Sequence, residues 1–90
     1  ADKQMPGNPQ ILDSLAWVHY RRKNFQEAWK FITQAAELEG KEPVIWDHYG
    51  DIAKVIGRKQ EARKAWLRAL ELEPDNSAEI KVKLEKLNIQ

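Results

Sequence analysis

The strongest constraint on this chain is that it repeats. Laid over itself at an offset of 34 residues, residues 9–42 fall on 43–76 with eleven identical pairs, among them Pro9/Pro43, Ile11/Ile45, Asp13/Asp47, Ala28/Ala62 and Ala35/Ala69. Chance gives roughly two for ordinary composition. A period of this length marks a supersecondary unit that cannot bury its apolar face alone and is stabilised by stacking on its neighbour. Apolar–polar alternation of period two is nowhere sustained, so no strand is expected.

Each unit reads as two helices. Pro9 and Pro43 suit a first helical turn, where a missing N–H costs nothing, and Asn8 ahead of Pro9 is a good N-cap. Gly57 suits the left-handed residue that ends a helix. Asn24 with Glu27, and Asn76 with Glu79, have the spacing of capping boxes. Phe25, Ala28, Ile32 and Ala35 make one apolar stripe, matched by Ala62, Trp66 and Ala69 in the second unit; Ile80, Leu84 and Leu87 give a fifth helix a single apolar face. The pattern predicts an all-α stack of five helices, at about 9–22, 25–38, 44–56, 59–72 and 77–87. The organisation expected is a tail over 1–8, units over 9–42 and 43–76, and a capping helix within 77–90.

Composition narrows the function classes. Ninety residues make one domain at most, too small for a deep cavity with its own supporting shell. Fifteen Lys and Arg against fourteen Asp and Glu lack the positive excess that phosphate-backbone binding needs, so nucleic acid is a poor partner. With no cysteine there is no disulfide, thiolate metal site or thiol nucleophile. No apolar run approaches the ~20 residues of a membrane span. The chain opens at Ala1 without a charged-then-apolar leader, which reads as a processed or excised chain.

The order Trp46-x-x-Tyr49-Gly50-x-x-Ala53, then Ala62-x-x-x-Trp66, Ala69 and Pro74, resembles the tetratricopeptide repeat. The first unit is similar more loosely, with Leu12, Leu15, Ala16 and His19, then Ile32 and Gly40, at the signature positions. The wording of the repeats is also similar to the last repeats of bacterial multi-repeat members. The resemblance implies an α-solenoid of two helix-turn-helix units plus a cap, and a protein–protein interaction module whose concave groove, lined by the first helix of each pair, holds an extended or helical peptide. Fold alone does not name the ligand.

At 100° per residue the core arc of the first helix centres on Leu12, Leu15, Ala16 and His19. The opposite arc carries Gln10, Asp13, Trp17, Tyr20 and Arg21 in unit one and Val44, Asp47, Asp51, Lys54 and Val55 in unit two; Lys81 and Glu85 extend it on the cap helix. These positions match the groove-lining positions of the family. Trp17 with Tyr20 and Arg21 has the composition of a binding hot spot, or else Trp17 fills the space between repeats. Some family members clamp a partner's C-terminal carboxylate with Lys, Asn and Arg; here the corresponding positions hold Asp13, Trp17 and His48, which argues against a chaperone-tail adaptor. Asp13, Asp47 and Asp51 suggest an acidic middle of the groove, or a mixed solvated surface.

No constellation for catalysis is readable. His19 belongs to the core arc, neither histidine has a zinc spacing, and Asp47 with Asp51 is a carboxylate pair rather than a calcium cage. Ser14 lacks triad partners, and the isolated glycines make no phosphate loop. No metal or cofactor is expected. The basic set Lys59, Arg63, Lys64 and Arg68 reads as a solvated convex face. The alternative to a peptide-binding module is an architectural end-piece of a longer solenoid whose ligand binds elsewhere. For it, Ile11, Val18 and Phe31 form an uncovered apolar end, which predicts weak self-association or a fold-back of residues 1–8 through Met5 and Pro6, while Lys81, Lys83, Glu85 and Lys86 of the cap face water.

Overall fold

Asn8 starts the first helix as its sequence suggests: its side-chain oxygen accepts from the N–H of Gln10 at 2.9 Å and of Ile11 at 3.3 Å, with Pro9 in the first turn. The computed structural model describes residues 8–87. These form α1 (Pro9–Arg21), α2 (Phe25–Leu38), α3 (Pro43–Val55), α4 (Lys59–Glu71) and α5 (Ser77–Leu87), with no strand among the described residues. The boundaries differ from the sequence reading by a single residue at the ends of α1, α3 and α4. The expected fold-back of Met5 and Pro6 lies outside the described residues.

The α3–α4 turn closes on Gly57 at φ 87°, and 34 residues earlier Lys23 takes the same left-handed conformation at φ 66°. Neither expected capping box forms at its asparagine side chain. Asn24 makes no side-chain cap bond, its amide lying 3.5 Å from Nδ1 of His19, and the Asn76 amide donates to Asp47 Oδ2 at 2.9 Å. In both, the side-chain amide nitrogen turns to a partner outside the helix that the asparagine was expected to cap.

Two apolar clusters hold the stack. Leu12, Ala16, Ala28, Ile32, Ala35, Ala36, Ile45 and Ile52 join α1, α2 and α3; Ala53, Ala62, Trp66, Ala69, Ile80 and Leu87 join α3, α4 and α5. The closest approach is at Gly50, where a Cβ would fall on the Trp66 indole. That indole is 1% exposed and donates from Nε1 to the Asp47 carbonyl at 3.1 Å. Small residues thus set the helix separation and one aromatic fills it. The turn between the units is pinned as well: the Gly40 carbonyl accepts from Trp46 Nε1 at 2.9 Å and from an Arg68 guanidinium N–H at 3.4 Å.

One member of the expected core arc is displaced. Leu15 is 37% exposed, while Leu12 and Ala16 beside it are 1% and 0% exposed. Its counterpart Tyr49 is packed against the α2 cluster, whereas no described helix precedes α1 to do the same. His19 is half-buried and stacks on Phe31, centroids 5.5 Å apart. Among the described residues no helix is long and apolar enough to cross a membrane.

Candidate binding groove

Polar side chains tie α1 to α3 and α3 to α5. Between α1 and α3, Asp13 Oδ1 lies 2.7 Å from His48 Nδ1. Between α3 and α5, Lys83 Nζ donates to Asp47 Oδ1 at 2.9 Å and to Asp51 Oδ1 and Oδ2 at 3.0 and 3.2 Å. The Lys83 ammonium also sits 5.9 Å from the Trp66 ring centroid.

Aromatic rings extend the first junction. The Trp17 indole stacks on Tyr20 at 4.7 Å and on His48 at 4.1 Å, with interplanar angles of 17° and 21°. Tyr20 in turn meets Phe25 edge-on. Trp17 and Tyr20 are both half-buried. Both features weighed for Trp17 therefore coexist: it packs against the helix of unit two and keeps part of its surface open. Its substitution removes the stacks on Tyr20 and His48 as well as any contact with a ligand.

The structure gathers Tyr20, Asp51, Lys54 and Val55 from the sequence-derived set around one shallow pocket of about 280 Å3, completed by Trp66 and Lys83. Arg21 and Val44 are exposed. Gln10 lines a separate depression with Asn8, Pro9, Glu39 and Glu42. Two expectations are corrected. Asp47 is 6% exposed, a buried partner of Lys83 and Asn76 and not an open groove carboxylate, so the middle of the groove is partly neutralised from within. On the cap helix Lys83, placed in water by the sequence reading, is the residue that enters the groove. Lys81 and Glu85 are exposed and lie about 160° around α5 from it. His48, outside the sequence-derived groove set, joins Asp13 and Trp17. The signal that could have found both is the charge complement: an Asp at the same position of each unit needs a donor from the next first helix.

The electrostatics follow from one cation shared by two carboxylates. Burial pushes the Asp51 carboxyl up from the usual 3.8, more than the hydrogen bond and charge of Lys83 bring it down, with the Asp47 charge adding to the rise. Burial pulls Lys83 down, but hydrogen bonds to both carboxylates and their charges outweigh it and leave the ammonium above the ordinary 10.5. Burial and the Asp51 charge raise the Tyr20 phenol. The arrangement can present an aromatic edge, a carboxylate pair half-compensated by one ammonium and the exposed Lys54 to a ligand. Among the described residues no group of three or more His, Cys, Asp or Glu could hold a metal ion.

Residues 43–76 match the family model of the tetratricopeptide repeat. No curated protein matches the chain in sequence. Among solved structures the chain is similar to the first tetratricopeptide domain of Spaghetti (RPAP3), bound to the HSP90 peptide SRMEEVD, with a TM-score of 0.84 and 29% identity over 92% of this chain. The match spans 65% of that solved chain. The repeat period, the close approach at Gly50, the matched segment and the shared fold agree: residues 43–76 are a tetratricopeptide repeat, and the chain has the fold of a tetratricopeptide domain.

Proposed function

We propose that the chain is a peptide-binding interaction module that holds a segment of a partner protein along α1, α3 and α5, over Trp17, Tyr20 and the Asp51–Lys83 pocket. The observation that carries this reading is the pocket itself: half-buried aromatic surface, the Lys83 ammonium paired with Asp51 and the exposed Lys54, brought together from four helices. The similar domain of Spaghetti (RPAP3) holds the acidic peptide SRMEEVD. Here such a tail would approach Asp13, Asp47 and Asp51, whose nearby ammonium is already bound to two of them. The groove suits a segment that is not an acidic C-terminus. In a pull-down, Lys54→Ala and Trp17→Ala should lose the captured partner while Ile11→Lys retains it, the weakening being about 2 kcal/mol or more if Trp17 is a hot spot. Direct titration with SRMEEVD should give no saturation. Tight binding of that peptide, or capture unchanged in both groove variants, would remove the reading.

A second reading, a structural end-piece joined to a helical neighbour through α1, draws on Ile11 and Val18, 47% and 51% exposed. Weak self-association through this face, first read from Ile11, Val18 and Phe31, belongs to the same proposal. Phe31 is half-buried, so Leu15 supplies more of the open surface.

A further inference from the structure

The internal repeat tells what this open face is shaped to take. At the offset of 34 residues, Ile11, Leu15 and Val18 of α1 fall on Ile45, Tyr49 and Ile52 of α3. In α3 that stripe is covered by α2. Ile45 and Ile52 are 1% and 0% exposed in one cluster with Ile32 and Ala36, and the Tyr49 ring lies 4.8 Å from Trp29. In α1 the same stripe is 47%, 37% and 51% exposed and lines, with Asn8, Gln10 and Ser14, a shallow depression of about 300 Å3.

We propose that this face of α1 docks an amphipathic helix of the α2 pattern, one aromatic followed by aliphatic and small residues as in Trp29, Ile32 and Ala36, crossing α1 as α2 crosses α3. The proposal rests on the end-piece reading and names its occupant. Three observations support a helix. The exposed residues recur at i, i+4 and i+7, the spacing by which one helix receives another. The depression is lined by no charged side chain, so an uncharged apolar stripe meets no unpaired ion. The backbone that carries the stripe is the one that already receives a helix in unit two. A second copy docked head to tail fits less well, and a symmetric α1-on-α1 pairing is the dimer outcome of the test. The other exposed large apolar residues, Leu38, Val44, Val55, Leu67 and Val82, are scattered over four helices and form no matching stripe among the described residues.

The test uses a lactam-stapled peptide carrying the α2 sequence, residues 24–40, stapled on the side away from Trp29, labelled and titrated with the intact chain. Saturable binding is expected, weakened about tenfold or more by Ile11→Lys or Val18→Lys in the chain and by Trp29→Ala in the peptide. Circular dichroism checks that both chain variants stay folded. No saturation with the wild-type chain, or binding indifferent to these substitutions, overturns the proposal. A concentration-dependent dimer abolished by Ile11→Lys, with no peptide binding, overturns the helix as occupant while leaving the end-piece reading in place. A strict monomer with no peptide binding removes both.

Discussion

The two units share one backbone plan and close it with different side chains. Unit two puts Trp66 against a bare Gly50, whereas the equivalent pair in unit one, Ile32 and Ala16, fills the space with a smaller side chain and a methyl. Along α1, α3 and α5, Asp13 is met by a histidine and Asp47 by a lysine that also holds Asp51. Where unit two has Asp51, unit one has Trp17. The repeat fixes where a partner is needed and leaves its chemistry open, so the two halves should respond differently to equivalent changes.

The largest effect is expected at Gly50. Gly50→Ala drives a Cβ into Trp66 and should cost about 3 kcal/mol in chemical denaturation, the upper end of overpacking penalties. Combining it with Trp66→Ile recreates the pair of unit one, and the double variant should be more stable than the two single losses add up to. Strict additivity would show that the two sites do not clash. Ala62→Leu, at a fully buried position of the second cluster, should cost about 1–3 kcal/mol by the same mechanism.

Next comes Lys83→Met, which strips the ammonium from a carboxylate that is 6% exposed and should cost about 2–3 kcal/mol, somewhat below the range for a fully buried pair. Asp51→Asn should cost under about 1 kcal/mol, because burial already disfavours that carboxylate and Asp47 keeps the lysine. The pH dependence has a definite sign. A lysine held above its ordinary value contributes stability that is present below pH 10.5 and lost as pH rises through its folded value. Tyr20 and Tyr49, both raised above 10.0 with burial as the leading cause, act in the same direction. Urea melts at about pH 9 and pH 11 should therefore show a loss in the wild type that is smaller in Lys83→Met. An equal loss in both would place the effect on the tyrosines alone.

At the other junction, Asp13→Ala should cost about 1 kcal/mol, the scale of one hydrogen bond, since the Trp17 stack on His48 remains. The smallest change is a gain. Lys23 occupies the left-handed conformation that Gly57 holds in unit two, so Lys23→Gly should stabilise the chain by about 0.5–1 kcal/mol, the left-handed penalty relieved minus the entropy that glycine adds to the unfolded chain. A loss on thermal melting would mean that the Lys23 side chain holds the turn.

What the sequence displayed was whatever depends on spacing. Period, punctuation and apolar stripes are local, and Pro9, Pro43 and Gly57 mark helix ends that the fold keeps. The reading failed where a distant group decides. Asn76 belongs to Asp47, not to its own helix, and Lys83 turns inward because two carboxylates on α3 await it. Leu15 falls on the apolar arc by angle but is exposed for want of a covering helix, something no helical wheel contains. Trp17 was ambiguous because angle alone cannot say that His48 of the next unit reaches its ring.

The Gly40 carbonyl, accepting from both Trp46 and Arg68, bears on how the groove meets a ligand. A connection between repeats that touched only its flanking helices would act as a hinge, and the curvature of the groove would adjust to whatever entered it. Fastened to the first turns of one helix and the last turn of another, this connection behaves as a bracket. On the proposed peptide-binding reading, the angle between the units is set before a peptide arrives, and selectivity would come from rejecting shapes that do not fit. Affinity gained in this way keeps the entropy that a closing motion would have spent.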